Sequence, residues 1–174
     1  MTNRLKIKEL LDAGHSKELR DEIIEFVGSS KPRMKALMSF FFHDNLRYNQ
    51  KASWPIGIIG CKQKDLIQPY LTSMVKALDN PSHDAQVRNT LRIFEDIAIP
   101  ETVEGELCDK CFGYIMDVKA AVAIRAFAMT VLHKIVKKYP DLQQEFIAII
   151  KEQMPHGTAA IKVRGRRILK DLEK

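Results

Sequence analysis

The sequence predicts an all-α fold: an α-α superhelix, in which helical hairpins stack as a right-handed solenoid. Of the 174 residues, 45% are hydrophobic, enough to form a core. Gly and Pro, which disfavour helices, together number only 15. Apolar residues recur with the period of a helix. One short pattern also repeats along the chain every 37 to 39 residues. We therefore expect a single helical-repeat domain over residues 1–174.

The repeated pattern is a cation near the start of a helix. It occurs at Lys51, Arg88, Arg125 and Arg164, and Val or Ile precedes the cation in the last three copies. An amphipathic stretch and turn residues come before each copy, so each repeat is a hairpin of a first and a second helix. The first helices are predicted at 32–44, 64–79, 101–117 and 140–153, and the second helices at 46–61, 84–98, 120–138 and 157–173.

Local sequence features support these boundaries. Pro32, Pro100 and Pro140 open first helices, where the missing N–H of proline costs nothing. The apolar residues of 64–79 follow the i, i+3, i+4, i+7 spacing of one buried helical face; they are Ile67, Tyr70, Leu71, Met74, Val75 and Leu78.

Residues 1–30 are expected to form an N-terminal cap of two helices ahead of the four repeats at 31–174. Ser16 is the predicted N-cap of the second cap helix. Phe40, Phe41 and Phe42 are consecutive, so they cannot all face inward from one helix, and one ring is expected to point outward.

The repeats resemble HEAT repeats, and more broadly the armadillo (ARM) type of superhelix. The residues that carry the resemblance are Asp79 with Val87-Arg88 and Asp117 with Ile124-Arg125, each a turn aspartate followed by a cation that opens the second helix. The resemblance covers residues 32–173. It implies a solenoid whose second helices line the concave side, with the cations at 88 and 125 paired to the turn aspartate of a neighbouring repeat or, alternatively, free to contact phosphate.

The two sets of helices differ in charge. The chain has a net charge of +6, the second helices taken together are positive, and the first helices are negative; residues 119–174 alone contain 12 cations and 5 anions. The concave surface implied by the resemblance would then attract anionic macromolecules. Two ordinary explanations stand beside this one: a solvated face for the cations of 157–173, and the helix macrodipole for those at 134–138.

The leading hypothesis is a non-enzymatic scaffold that binds a macromolecular, acidic partner, expected to be a protein, on the second-helix surface. The residues expected to contact the partner are Lys51, Trp54, Arg88, Arg92, Arg125, Lys134, Lys137, Lys138, Lys162, Arg164, Arg166 and Arg167.

Nucleic acid is the alternative partner. The segment 51–57, which contains the only tryptophan, Trp54, resembles helices of the HEAT-like DNA alkylation repair glycosylases. That resemblance implies a nucleotide held by tryptophan and an acidic residue in a basic groove. The segment 46–61 contains no Asp or Glu, and the simpler interpretation is a tryptophan packed between helices.

No linear motif predicts a cofactor, a metal or a named reaction. Cys108 and Cys111 form a CxxC, but they lie within a predicted helix and no further cysteine or histidine pair completes a zinc site. A catalytic site built from dispersed residues leaves no linear signature, so the sequence favours a protein without enzymatic activity and does not exclude an enzyme. Without a leader or a long apolar run, the expected location is the cytoplasm.

Overall fold

The computed structural model describes residues 2–173, which form α-helices and short 3₁₀ turns without a β-strand. The all-α prediction is confirmed. The α-helices are α1 (Asn3–Ala13), α2 (Lys17–Val27), α3 (Lys31–Phe41), α4 (Leu46–Lys62), α5 (Lys64–Ile67), α6 (Leu71–Lys76), α7 (Asp84–Asp96), α8 (Glu101–Met116), α9 (Val122–Val136), α10 (Gln143–Gln153) and α11 (Ala159–Leu172). Close contacts divide the chain into two compact units at the Ile97–Ala98 bond.

The predicted helices agree with the observed ones except at two prolines. The stretch 64–79 is not one helix: α5 and α6 are separated by a 3₁₀ turn, Gln68–Tyr70, at Pro69. Proline has no N–H for the helical ladder, which favours such a break. Pro140 likewise opens a 3₁₀ turn, Pro140–Leu142, before α10 begins.

The N-terminal cap helices are present as predicted. The hydroxyl of Ser16 accepts a hydrogen bond from the amide of Leu19 at the start of α2. At the end of α3, Phe40 and Phe41 are fully buried while Phe42 is 36% exposed, which confirms that one ring of the triplet points outward. The guanidinium of Arg4 in α1 lies 5.0 Å from the ring centroid of Phe40, so the cap packs on this triplet.

The first unit is built around the packing of α4 on α7. Gly57 and Gly60 face α7 so closely that a Cβ at Gly57 would lie 2.2 Å from Oδ1 of Asn89 and one at Gly60 would lie 2.6 Å from Cδ1 of Ile93. The two helix backbones can approach this far only because these glycines lack side chains. Gly57 and Gly60 therefore fit this side of α4 to α7.

Buried side chains of the same unit satisfy the end of α3. The carbonyl of Phe41 accepts hydrogen bonds from the amides of Asn49 in α4, at 2.5 Å, and Gln86 in α7, at 2.9 Å. A helix leaves its last carbonyls without intrahelical donors, so these two contacts join α3, α4 and α7 at one atom.

The second unit consists of α8 to α11. α9 packs against α8 on one side and α11 on the other, and α10 packs on α11. Its core includes Leu107, Leu132, Phe146 and Ile161. No helix of residues 2–173 combines the length and hydropathy that a membrane span requires.

The glycine contact between α4 and α7 can be tested with a matched substitution. Gly57→Ala should destabilise the protein by about 1–3 kcal/mol, because the added methyl group forces the buried side chain of Asn89 to move. Gly105→Ala introduces the same methyl group in the middle of α8, where nothing lies within 4 Å of the new Cβ. It should stabilise the protein by about 0.5–1 kcal/mol through helix propensity. Urea unfolding followed by circular dichroism measures both, and equal effects of the two substitutions would contradict the close-packing account.

Candidate partner-binding surface

In the first unit, Lys51 is engaged in packing. Its ammonium donates a hydrogen bond to the carbonyl of Leu11 in the last turn of α1. The side chain is half-buried and ties α4 to the N-terminal cap. Lys51 therefore provides a hydrogen-bond donor for a carbonyl at the end of α1, a role that the sequence pattern did not reveal.

Trp54 is half-buried and covered by the cap helix α2. The guanidinium of Arg20 lies 4.5 Å from the ring centroid of Trp54, and the ring of His15 lies 5.5 Å away. The cavity that these side chains line has a volume of only about 10 Å³, roughly the minimum for one water molecule. This geometry fits the packing interpretation of Trp54 and leaves no room for a nucleobase.

Arg88 and Arg92 lie one helical turn apart on α7. Arg88 is exposed and Arg92 is half-buried. The carbonyl of Arg92 accepts a weak hydrogen bond from Sγ of Cys61, at 3.9 Å. Of the predicted site residues in the first unit, Arg88 is the exposed one.

In the second unit, Arg125 is a structural residue. It is 9% exposed, its Nε donates to the carbonyl of Ile115 at 3.3 Å, and its Nη2 donates to Oε1 of Gln153 at 2.7 Å. Of the two alternatives for Arg125, these contacts fit the structural one, but the expected pairing with a turn aspartate is wrong. Asp117 instead accepts a hydrogen bond from the amide of Lys119 and closes the turn between α8 and α9.

The lysines at the end of α9 differ in their contacts. Lys137 pairs with Asp171 of α11 at 2.8 Å, and Lys138 pairs with Glu104 of α8 at 2.6 Å. Lys134 is half-buried. Two of the cations counted as part of a basic surface are therefore neutralised by carboxylates.

Glu104 is the buried member of its pair, with a side chain that is 4% exposed. Burial alone would raise the pKa of this carboxyl. Hydrogen bonds from the ammonium of Lys138 and the hydroxyl of Tyr139, at 2.6 and 2.8 Å, outweigh burial and hold the pKa of Glu104 below its ordinary 4.5. The carboxylate thus anchors the end of α9 to α8.

Arg164 is less exposed than Arg166 and Arg167, the neighbouring arginines of α11. It is half-buried, and its Nη1 donates to the carbonyl of Ala126 at 2.8 Å and to Oγ1 of Thr130 at 2.5 Å. Its guanidinium also lies 5.6 Å from the ring centroid of Phe127. The solvated face considered for the cations of 157–173 therefore does not include Arg164, whose side chain reaches across to α9.

The remaining predicted cations of α11 are brought together at its outer side. Arg166 and Arg167 are exposed and Lys162 is half-buried. Lys162 and Arg166 line a cavity of about 300 Å³ between α10 and α11, whose other walls include Met154 and Leu169. We call Lys162, Arg166 and Arg167 with this cavity the α11 surface. The residues predicted to contact a partner did not include Lys170, which is exposed and lies one turn after Arg166; the i, i+4 spacing could have indicated it.

The two thiols of the CxxC are unsuited to thiolate chemistry. Cys108 and Cys111 are 6% and 0% exposed. Burial, with the nearby carboxylates of Asp109 and Glu145, raises the pKa of Cys108 to about 11, and burial raises the pKa of Cys111 as well. Both therefore stay protonated at neutral pH, as packing residues do. No group of His, Cys, Asp and Glu with the geometry of a metal site occurs among residues 2–173.

The helix pairs and their spacing agree with comparisons to known proteins. The family model described as a HEAT repeat domain matches residues 7–172. The chain belongs to this family. No characterised protein and no solved structure gives a match to the chain, so the relation to DNA alkylation repair glycosylases is unconfirmed. HEAT repeats generally mediate protein interactions, and membership gives the architecture rather than the partner.

The Glu104 contact predicts a pH dependence of stability. The pKa of Glu104 is lowered in the folded protein. The ionised carboxylate therefore stabilises the fold above the ordinary pKa of 4.5, and this stabilisation is lost as the pH falls through the pKa of the folded state. Glu104→Gln should lower the melting temperature at pH 7 and reduce the further loss on acidification below pH 4.5. Thermal unfolding from pH 7 to pH 3 measures this, with the exposed Glu152→Gln as control; parallel curves for wild type and E104Q would contradict the assignment.

Proposed function

We propose that this HEAT repeat protein is a non-enzymatic scaffold that binds an acidic macromolecular partner, a protein, through the α11 surface. Membership of the family supports a role in protein interaction. The location in the cytoplasm stays a prediction of the sequence. The α11 surface narrows the original hypothesis, which placed the partner along all the second helices.

The supporting observation is that the cations of the α11 surface make no ion pair with the described residues, whereas those of α9 are engaged. Arg125 and Arg164 are bound to carbonyl oxygens, and Lys137 and Lys138 to carboxylates. An accessible cation with no carboxylate neighbour keeps its full attraction for an anionic ligand. The accessible positive charge of this unit therefore centres on α11.

The cavity beside these cations indicates what kind of partner fits. Met154 and Leu169 supply an apolar wall, while Lys162 and Arg166 supply charge. A protein segment with an apolar side chain flanked by carboxylates would contact both the apolar wall and the cations. Protein interfaces commonly surround a buried apolar contact with polar ones in this way. A nucleic acid would use the charge but not the apolar wall.

The α11 surface can be tested by charge reversal. Arg166→Glu together with Arg167→Glu should weaken binding of fluorescein-labelled poly-glutamate by about tenfold or more in an anisotropy titration, because two attractive charges become repulsive. Both side chains are exposed, so the helical circular dichroism should not change. The matched control is Lys31→Glu with Lys35→Glu, which changes the net charge equally at two exposed positions of α3 and should retain nearly wild-type binding.

A duplex DNA probe separates the two classes of partner. Proteins that bind DNA through phosphates lose affinity steeply with salt, with a slope of about −0.9 per phosphate neutralised. DNA held more tightly than poly-glutamate at physiological salt, with such a slope, would favour the nucleic-acid alternative. Failure of both probes at low salt, or an equal loss in the α3 control, would refute the α11 surface as a site for acidic partners.

A further inference from the structure

A second surface of the C-terminal unit has the opposite charge to the α11 surface and a larger cavity. A groove of about 680 Å³ runs between α8 and the segment formed by the Pro140–Leu142 turn and α10. Its floor includes Ile135 of α9 and Leu142 of the turn. We call it the α8 groove. None of the residues expected to contact a partner lies in it.

One face of α8 forms most of this groove. The residues on that face follow helical spacing over three turns: Gly105, Cys108, Asp109, Phe112, Gly113 and Met116. Met116 is 51% exposed and adds a large apolar side chain to this face. The ring of Phe112 meets that of Phe146 edge to face at 6.3 Å, which connects α8 to α10 at the floor of the groove.

The two glycines leave the backbone of α8 accessible. A Cβ added at Gly105 or at Gly113 would have no atom within 4 Å. Glycine in the middle of a helix costs about 1 kcal/mol relative to alanine, and no internal contact of the described residues compensates for that cost here. Gly57 and Gly60 show the contrasting case, since α7 packs directly on them. Gly105 and Gly113 therefore leave room for a further structural element to pack on this face of α8.

The rim of the groove is acidic. Glu101, Asp109 and Glu145 line it, are exposed, and make no ion pair with the described residues. Glu101 and Glu145 lie in the first turns of their helices, where the macrodipole favours a carboxylate. Asp109 lies in the middle of α8 and has no such explanation. The fourth carboxylate, Glu104, is already neutralised by Lys138.

We propose that the α8 groove binds an amphipathic, basic α-helix of a protein partner. The apolar floor would contact the apolar side chains at positions i, i+3, i+4 and i+7 of such a helix. The open backbone at Gly105 and Gly113 allows close approach, and the three rim carboxylates face its lysines and arginines. α8 has 16 residues, a length of about 24 Å, so a partner helix of about four turns fills the groove. This inference is independent of the proposed function, which concerns an acidic partner on α11.

The test uses the full chain and a designed probe. The probe is a fluorescein-labelled peptide of about 16 residues, with leucines on one helical face and lysines elsewhere. Two control peptides have the same length: one has glutamate in place of every lysine, and one has the same composition with the leucines spread around the helix. In anisotropy titrations near physiological salt, the basic amphipathic peptide should bind at least about tenfold more tightly than either control.

Two variants locate the binding. Gly105→Leu with Gly113→Leu places two side chains in the groove, where no atom lies within 4 Å of either new Cβ, and should weaken binding of the peptide by about tenfold or more. Asp109→Lys should weaken it similarly through repulsion. Glu152→Lys makes the same charge change at an exposed position of α10 outside the groove, and should leave the affinity nearly unchanged. Circular dichroism and the melting temperature verify that each variant is folded.

Four results would overturn the proposal. They are no binding by the wild-type chain, equal binding of the scrambled peptide, an equal loss in E152K and D109K, and unchanged binding in the double leucine variant. Sedimentation velocity adds a fifth. If the chain self-associates and G105L/G113L abolishes that association without any peptide binding, the groove is occupied by a second copy of the chain and not by a basic helix.

Discussion

The carbonyl groups at the ends of helices impose the constraint on which this structure depends. Each helix leaves its last turn of carbonyls without intrahelical donors, and buried carbonyls must find partners. Here, long polar side chains from neighbouring helices supply them. The pairs are Lys51 to Leu11, Asn49 and Gln86 to Phe41, Arg33 to Phe26, Arg125 to Ile115, and Gln143 to Val136.

This arrangement changes how the basic residues of the chain are interpreted. A positive charge near the start of a second helix is not by itself a binding feature, because Lys51 and Arg125 donate to carbonyls in the last turns of α1 and α8. Arg164 is also bound to a backbone carbonyl, that of Ala126, although this carbonyl lies near the start of α9. An arginine serves well here, since its several donors can satisfy a carbonyl and a side chain at once. The charge that is left for a partner is then much smaller than the composition suggests.

The C-terminal unit consequently offers two surfaces of different chemistry. The α11 surface joins exposed arginines to a small apolar cavity, and the α8 groove joins exposed carboxylates to a larger one. The α11 surface is basic and the α8 groove is acidic. A charged ligand that is attracted to one of them is repelled by the other, so the same ligand is not expected to bind both. The two proposed sites would therefore bind different partners.

The sequence by itself determined the helical fold, the positions of nearly all the helices, and the HEAT repeat, because helical periodicity, prolines and N-caps act locally within each segment. It also predicted the excess of positive charge in 119–174 and of negative charge in 101–117. Only the tertiary structure decided which charges are free. The sequence marks Arg164 as a repeat cation but does not show what it contacts; packing places it against the carbonyl of Ala126 and leaves Arg167 exposed to solvent. The same holds for Gly57 and Gly105: both are helical glycines, but only one has a neighbouring helix over it. A backbone carbonyl carries no residue identity, so the donor that it will accept is fixed by distance in the folded chain and leaves no pattern in the sequence.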